Sequence, residues 1–250
     1  MWIYPKIIAH RGGGKLAPEN TLAALRCGLE HGFHAVEFDV MLSSDSVPVL
    51  MHDPEFGRTI AGVGKVSDHA AAELRTRDAG SWFGPAFAGE QVPTLEQACR
   101  FCIDNRIWMN VEIKPAPGFE VVTGRVVAES MRHFLEAQAE AVDPAMLPLF
   151  SSFSFDALLA AQAAAPGIAR AYLVDVIPSD WRQRLERLEA VALHTNQRNL
   201  SKQQASAVKG AGFGLFCYTV NEPERAREIM SWGVDAFCTD RIDVIGPDFS

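Results

Sequence analysis

Residues 35–53, AVEFDVMLSSDSVPVLMHD, contain two apolar runs, and acidic or imidazole side chains lie at the end of each run. The runs Ala35–Val40 and Val47–Met51 have the length and the β-branched content of strands. The connection Met41–Val47 is too short for a helical crossover, so we expect an extended loop or a hairpin there. Barrels and open α/β sheets build active sites at strand ends. The stretch therefore predicts two consecutive strands with functional groups at their ends.

Strand-like and helix-like segments alternate through most of the chain, which predicts parallel strands joined by helical crossovers. The strand candidates are Lys6–Ala9, Ala35–Val40, Val47–Met51, Ile107–Ile113, Met146–Phe150, Ile168–Val174, Ala190–His194, Gly214–Val220 and Val234–Cys238. The helix candidates are Thr21–His31, Thr94–Asn105, Phe119–Ala139, Asp156–Ala164, Asp180–Leu188, Lys202–Lys209 and Pro223–Ser231. A single α/β barrel typically needs about 250 residues, which suits this chain. Nine strands are one too many for an eightfold barrel, and the sequence does not identify the extra one.

The segment Pro54–Val92 interrupts this alternation, because it is rich in glycine and in turn-forming residues. Since it directly follows His52-Asp53, we expect an inserted subdomain that rises from the rim of the site. Trp82 and Phe83 would then line or brace the pocket. We predict a single domain over residues 1–250, with an insertion at about residues 54–92.

The composition is that of a soluble globular protein with a large core: 48% of the residues are hydrophobic, 22% are charged, and the mean hydropathy is +0.02. The formal net charge is −8 and the isoelectric point is about 5.4. No run of Lys or Arg is dense enough to follow a nucleic-acid backbone or an anionic membrane, so we expect no nucleic-acid partner. No apolar stretch approaches the roughly 20 residues that span a bilayer, so we expect no stable membrane insertion.

The five cysteines are scattered, which favours reduced thiols over a disulfide framework. Cys99-Arg-Phe-Cys102 has C-x-x-C spacing but lies in a helical pattern, with no second pair of ligands to complete a zinc site. The N-terminus enters the first strand pattern without the features of a signal peptide. We therefore expect a cytoplasmic protein, with a processed secreted form as the alternative.

Three carboxylates on two strand candidates form a potential metal site. Residues two apart on a strand face the same side, so Glu37 and Asp39 project together. Glu112 supplies a third carboxylate from another strand, and an all-oxygen set favours Mg²⁺, Mn²⁺ or Ca²⁺ over zinc. The alternative is a set of solvated charges or structural ion pairs at strand ends.

Two histidines, His10 and His52, each end an apolar strand. Beside three carboxylates, they provide what phosphodiester cleavage needs: one imidazole protonates the alkoxide leaving group, and the other accepts a proton from the nucleophile. Arg11 and Lys114, together with a divalent cation, can neutralise the phosphate oxygens. The combination favours metal-assisted phosphodiester cleavage.

The motifs taken together resemble the glycerophosphodiester phosphodiesterase family, and the similarity runs from the first strand candidate to Thr239-Asp240. The motifs are His10-Arg11-Gly12, Pro18-Glu19-Asn20-Thr21, Glu37-Phe-Asp39, Pro48-Val-Leu-Met-His52-Asp53, Arg58-Thr59, Pro93-Thr94-Leu95, Val111-Glu-Ile-Lys114 and Tyr218-Thr-Val-Asn221. The resemblance implies a TIM (β/α)8 barrel with a small inserted subdomain after the third strand. It also implies hydrolysis of small-molecule glycerophosphodiesters to glycerol 3-phosphate and an alcohol.

The resemblance further assigns roles to individual residues. It implies one divalent cation, Mg²⁺ or Ca²⁺, held by Glu37, Asp39 and Glu112, with His10 and His52 as the acid–base pair. The implied substrate-binding residues are Arg11, Lys114, Glu19, Phe153 and Tyr218. Many relatives have Trp at the position of Tyr218, and an aromatic wall is retained here. For Glu19, we expect support of the site through hydrogen bonds, with direct substrate contact as the weaker option.

Two other functions fit the same residues. A lysophospholipase D-type phosphodiesterase would use the same metal and histidines and would need an exposed apolar rim for the acyl chain. A module that binds phosphodiesters without cleaving them ranks last, because every position needed for catalysis is occupied. His194, at a predicted strand end, is a lesser candidate for the site. The sequence leaves the formation of a homo-oligomer open.

Overall fold

Eight parallel strands close into a barrel in the computed structural model, which describes residues 2–138 and 143–250. The strands are β1 (Ile7–Ala9), β2 (Ala35–Leu42), β3 (Pro48–Leu50), β4 (Trp108–Ile113), β5 (Leu149–Ser152), β6 (Ala169–Val174), β7 (Ala192–Asn196), β8 (Gly214–Tyr218) and β9 (Ala236–Thr239). Strand β1 pairs in parallel with both β2 and β9, which closes the ring. The predicted TIM barrel is confirmed.

The strand outside the ring is β3, which pairs antiparallel with β2. Val40 lies opposite Leu50, and Leu42 lies opposite Pro48. The connection Met41–Val47 therefore forms a hairpin, which is one of the two conformations expected for it. This hairpin carries the chain from the barrel to His52 and the insertion.

Helices surround the barrel on its outer side. They are α1 (Leu22–Glu30), α3 (Leu95–Asp104), α4 (Glu120–Ala137), α5 (Phe155–Ala164), α6 (Trp181–Leu188), α7 (Lys202–Gly210) and α8 (Pro223–Ser231), while the short helix α2 (Ala71–Leu74) belongs to the segment between β3 and α3. Thr21 caps α1 by accepting a hydrogen bond from the backbone N–H of Ala24, and Thr94 forms a capping box with Gln97 at the start of α3. Within the described residues, no helix is both long enough and apolar enough to cross a membrane.

Aromatic side chains fill the barrel at the amino-terminal ends of its strands. Trp108, the first residue of β4, is buried and packs against Trp2 and Tyr4, with ring centroids 6.4 and 4.9 Å away. Phe216 lies further along the interior, 6.1 Å from Trp2. The charged side chains inside the barrel lie at the opposite, carboxyl-terminal end.

The segment between β3 and α3 has an apolar cluster of its own, which includes Phe56, Ile60 and Leu74 and extends onto Met41 and Val49 of the hairpin. The carboxylate of Glu90 accepts a hydrogen bond from the backbone N–H of Ala23, 3.0 Å away, in the first turn of α1. Helix α1 follows β1, so its first turn lies at the carboxyl-terminal end of the barrel. The insertion therefore lies at the same end as the charged side chains.

Close packing of α4 on α5 depends on a glycine. A Cβ atom at Gly124 of α4 would overlap the backbone carbonyl of Ala157 in α5. Alanine favours a helix over glycine by roughly 1 kcal/mol, but the overlap outweighs this gain. We therefore expect Gly124→Ala to lower the free energy of unfolding by about 1–3 kcal/mol. Gly210→Ala, at the end of α7, is the control, because an added Cβ there meets nothing within 4 Å. Denaturant unfolding of both variants measures the difference, and equal stability of the two would contradict the packing argument.

Candidate active site

Adjacent strands bring the three carboxylates together. Glu37 and Asp39 lie on β2, and Asp39 is directly opposite Glu112 of β4 in the parallel ladder. One oxygen of each carboxylate lies within 4.8 Å of the corresponding oxygens of the other two. All three residues are buried, with exposed fractions of 4%, 1% and 8%. The structure thus contains a compact, buried acidic cluster.

The pKa values of the three carboxyl groups reflect the cost of placing three negative charges in a buried cluster. Burial, and then the neighbouring Asp39 charge, raise the pKa of Glu37 well above its ordinary value and that of Glu112 to about 7. Burial would also raise the pKa of Asp39, but the charges of Lys114 and Arg11 lower it to about 2. Oε1 of Glu37 is buried without a hydrogen-bond partner in the described part of the chain. An unpartnered carboxylate oxygen in an all-oxygen cluster fits a hard divalent cation.

Two cationic side chains lie against the cluster. Nζ of Lys114 is 3.2 Å from Oδ1 of Asp39 and 3.3 Å from Oε1 of Glu112. Nε of Arg11 is 3.5 Å from Oδ2 of Asp39, and the Arg11 backbone N–H donates to Glu37 at 3.1 Å. Arg11 has φ +51°, in the left-handed region that non-glycine residues adopt uncommonly. Both side chains are therefore held where they can bind an anion next to the carboxylates.

Asn20 also orients the cluster, a role that the sequence did not predict. Its Nδ2 donates to Oδ2 of Asp39 at 2.8 Å, and its Oδ1 accepts from the Asp39 backbone N–H at 3.1 Å. Its φ of +58° is again left-handed. The N-cap of α1 is the neighbouring Thr21, so the Asn20 side chain is left to bind Asp39.

His10 is held by a neighbouring acid. Its Nδ1 is 2.6 Å from Oδ1 of Asp240, and its Nε2 is 3.7 Å from Oε2 of Glu37. The second oxygen of Asp240 accepts from Nδ2 of Asn221 at 2.9 Å. Burial would raise the pKa of Asp240, but the hydrogen bond with His10 lowers it to about 2, so the aspartate stays ionised. An ionised acceptor on Nδ1 leaves Nε2 as the free nitrogen of the ring.

His52 is held in the same way. Its Nδ1 is 2.6 Å from Oδ1 of Asp53, whose other oxygen accepts from Nε of Arg58 at 2.6 Å. Burial lowers the pKa of His52, and the positive charges of Arg11 and Lys114 lower it further. A lowered histidine pKa keeps the imidazole neutral at pH 7, the form that accepts a proton.

Arg58 links the insertion to both sides of the site, whereas the sequence indicated it only as part of the Arg58-Thr59 motif, without a role. Its Nη1 and Nη2 donate to the two oxygens of Glu19 at 2.6 and 2.7 Å, while its Nε binds Asp53. Glu19 also accepts from Nη1 of Arg11 at 2.7 Å. Both oxygens of Glu19 are therefore engaged by arginines, and Glu19 does not line the cavity. This geometry matches support through hydrogen bonds, the stronger of its two expected roles.

A cavity of about 290 Å³ opens at the carboxyl-terminal end of the barrel. Among the predicted site residues, those that line it are His10, Arg11, Glu37, His52, Glu112, Lys114, Phe153 and Tyr218. Phe153 and Tyr218 make an edge-to-face contact with centroids 5.8 Å apart, and the Tyr218 hydroxyl donates to the carbonyl of Val174. The structure thus brings the predicted catalytic and anion-binding residues to one cavity.

Other sequence predictions do not agree with this geometry. Trp82 and Phe83 contact each other within the insertion, 5.6 Å apart, and do not line the cavity. His194 does not end its strand, because β7 continues to Asn196. Its ring is fully buried, stacks on Phe216 at 4.3 Å, and has a pKa lowered to about 3 by burial. His194 is therefore a neutral packing residue of the barrel interior.

One of the five cysteines, Cys238, lines the cavity, and the other four lie outside it. All five are free, and Cys99 and Cys102 are buried in the helix-facing core. Burial raises the pKa of both thiols, which keeps them protonated and unreactive. Their C-x-x-C spacing thus belongs to the packing of α3.

Comparison with known proteins identifies the family. The model of the glycerophosphoryl diester phosphodiesterase family matches residues 10–244. The chain belongs to this family. A glycerophosphodiester phosphodiesterase of Caldanaerobacter subterraneus subsp. tengcongensis is 33% identical over 239 residues, which cover 94% of this chain and 93% of that relative. A glycerophosphodiester phosphodiesterase of Bacillus subtilis is 26% identical over 250 residues, which cover 95% of this chain and 84% of that relative.

A solved structure of the same kind supports the assignment. A phosphodiesterase of Oleispira antarctica, in complex with the product sn-glycerol-3-phosphate, is 38% identical and has a TM-score of 0.88, covering 99% of this chain and 98% of that chain. The family and the enzyme class predicted from the sequence, glycerophosphodiester phosphodiesterase, are confirmed.

For this phosphodiesterase, removal of the Arg58 side chain tests the link between insertion and site. We expect Arg58→Ala to lower kcat/KM about 10–100-fold, as loss of a supporting hydrogen-bond partner commonly does. The reason is that Glu19 and Asp53 then hold Arg11 and His52 less rigidly. Arg58→Lys should recover part of the loss, because it restores the charge but not the fork of donors.

Arg75→Ala is the control, since Arg75 is exposed in the same insertion. Steady-state kinetics with circular dichroism of each variant separates an effect on the site from unfolding. An Arg58→Ala enzyme with the kcat/KM of Arg75→Ala would show that the link does not matter for turnover.

Proposed function

We propose that this enzyme hydrolyses glycerophosphodiesters to glycerol 3-phosphate and an alcohol, with one divalent cation, Mg²⁺ or Ca²⁺, and with acid–base catalysis by His10 and His52. The observation that carries the proposal is a single cavity lined by two histidines, each paired with an aspartate, and by Glu37 and Glu112, which form a buried carboxylate cluster with Asp39. The product complex of the Oleispira antarctica relative supports the choice of substrate.

The cation would be held by Glu37, Asp39 and Glu112. When bound, it supplies positive charge that neutralises the phosphate oxygens as the ester bond breaks. Burial, and then the charge of Asp39, raise the pKa values of Glu37 and Glu112, and the charge of the cation would favour the ionised form of both. The three carboxylates exceed the charge of a divalent ion, and Arg11 with Lys114 offsets the excess together with the charge of the substrate. The cluster is therefore balanced only when cation and substrate are both present.

Arg11 and Lys114 would bind the phosphate. Nε of Arg11 is buried and has no hydrogen-bond partner among the described residues, so it can donate to a phosphate oxygen. Lys114 lines the cavity beside Glu112 and provides a point charge. Arg11 and Lys114 lie just after different strands, β1 and β4, and would together fix the position of the phosphate.

The two histidines would move the protons. One accepts a proton from the nucleophile, which is water or the neighbouring glycerol hydroxyl, and the other donates a proton to the departing alkoxide. Asp240 and Asp53 hold the two rings by Nδ1, so the proton transfers take place at Nε2. Neither aspartate lines the cavity, so each acts through its histidine.

Phe153 and Tyr218 would border the glycerol, and the alcohol group would lie toward the mouth. This arrangement leaves the alcohol less closely recognised than the glycerol, and we therefore expect hydrolysis of choline, ethanolamine, glycerol and inositol derivatives. The lysophospholipase D-type alternative is not favoured, since the relatives compared above are named glycerophosphodiester phosphodiesterases. A cytoplasmic location stays a prediction, and five free cysteines agree with a reducing compartment.

Identification of the products is the decisive test of this function. With glycerophosphocholine and Mg²⁺ or Ca²⁺, we expect glycerol 3-phosphate and choline, identified by phosphorus NMR. Exhaustive treatment with a chelator should abolish turnover, and adding back the metal should restore it. Phosphocholine with free glycerol would overturn the assignment, and full turnover after metal removal would overturn the role of the cation.

Substitution of each histidine tests the proposed proton transfers. We expect His10→Ala and His52→Ala to fold normally and to lose roughly 10²–10⁴-fold in kcat, the usual contribution of a general acid or base. His133→Ala is the control, because His133 lies on α4, outside the cavity. Rapid-quench or steady-state measurement of kcat checks the expectation, and an unchanged kcat for either variant would exclude that histidine from proton transfer.

A further inference from the structure

The site consists of two compartments that meet at the same residues. The inner cavity of about 290 Å³ is continued by an outer groove of about 460 Å³. Both are lined by Glu112, Lys114 and Phe153. Lys114 is a proposed phosphate ligand, and a phosphodiester has two substituents on its phosphorus. A phosphate at the shared residues would therefore direct one substituent into each compartment, with Phe153 between them.

The two compartments differ in their walls. The inner cavity contains the histidines, Arg11 and Asn110, which offer hydrogen bonds to a small polyol. The outer groove has an apolar wall of Pro115 and Pro117, the half-exposed ring of Phe153 and one further acidic residue, Glu120. This contrast suits glycerol in the inner cavity and a different kind of group in the groove.

The charge of the groove depends on Glu120. Its Oε1 accepts a hydrogen bond from the Gly118 backbone N–H at 3.1 Å. Within residues 2–138 and 143–250, no basic side chain forms an ion pair with it. Among the described residues, Lys114 is the only basic one that lines the groove, and it is engaged with Asp39 and Glu112. The groove thus presents a carboxylate without a counter-charge beside an exposed aromatic ring.

We propose that this groove is the subsite for the alcohol of the substrate and that it favours a cationic alcohol, choline or ethanolamine. The proposal rests on the function proposed above. Glu120 attracts the positive nitrogen, and the ring of Phe153 binds it by a cation–π interaction. Both interactions are partly exposed to solvent, so neutral alcohols are also accepted, with a lower kcat/KM.

A structural role of Glu120 has to be separated from this one. Glu120 is the first residue of α4, where a carboxylate also stabilises the helix through its dipole. That effect does not depend on the substrate. The informative quantity is therefore the ratio of kcat/KM for glycerophosphocholine to kcat/KM for glycerophosphoglycerol, whose alcohol is neutral.

Glu120→Gln is the test. We expect it to lower kcat/KM for glycerophosphocholine about three- to tenfold, mainly through KM, in keeping with one partly exposed charge contact and one cation–π contact. Values for glycerophosphoglycerol should stay unchanged. Glu120→Asp keeps the carboxylate and should retain most of the preference. Glu30→Gln is the matched control, because Glu30 ends α1 at the opposite end of the barrel and is exposed.

The outcomes distinguish the subsite from the function itself. Equal losses for both substrates in Glu120→Gln would assign Glu120 to helix stability and overturn the subsite. A wild-type enzyme with no preference for glycerophosphocholine would overturn it as well, while glycerol 3-phosphate production would leave the proposed function intact. Failure to hydrolyse either substrate would overturn both.

Discussion

Repulsion among Glu37, Asp39 and Glu112 is the constraint on which the rest of the site depends. Two strands hold the three carboxylates within 4.8 Å of one another in a buried position, where their mutual repulsion is poorly screened. The surrounding groups reduce this cost from several directions: Lys114 and Arg11 by charge, Asn20 by hydrogen bonds. Burial and the remaining repulsion from Asp39 still raise the pKa of Glu37 and of Glu112. The charges of the site's own side chains do not balance, and a cation and an anion that bind together can complete the charge balance.

The insertion contributes to this charge balance through a series of contacts between basic and acidic side chains. Arg11 binds Glu19, Glu19 binds Arg58, and Arg58 binds Asp53, which in turn holds His52. A proposed phosphate ligand and a proposed acid–base residue are therefore connected through one arginine that comes from outside the barrel. This explains how a segment that interrupts the βα alternation can matter for catalysis without lining the cavity. It also shows why aromatic residues such as Trp82 were a poor guide to the insertion's role.

The sequence predicted best what depends on local periodicity. Alternation of side chains along a strand was enough to place Glu37 beside Asp39, and the alternation of strands with helices was enough to predict the barrel. It could not single out β3, because a three-residue edge strand has the same apolar pattern as a strand of the ring. The roles of Arg58 and Asn20 depend on how far a side chain reaches after folding, which no sequence period records. The prediction that His194 ends a strand was wrong for a related reason: a polar residue in the middle of a barrel strand gives the same sequence pattern as a polar residue at its end.

The packed end of the barrel determines how a substrate can enter. Trp2, Tyr4 and Trp108 fill the amino-terminal end, so the cavity opens only toward the carboxyl-terminal loops within the described chain. A phosphodiester must then enter with one substituent leading, and that substituent becomes surrounded while the other stays near solvent. Because apolar packing beneath the cavity also excludes water, the charged groups interact more strongly there than at the mouth. The same packing that stabilises the barrel thus makes the site asymmetric, and this asymmetry is the physical basis for recognising the two ends of a phosphodiester differently.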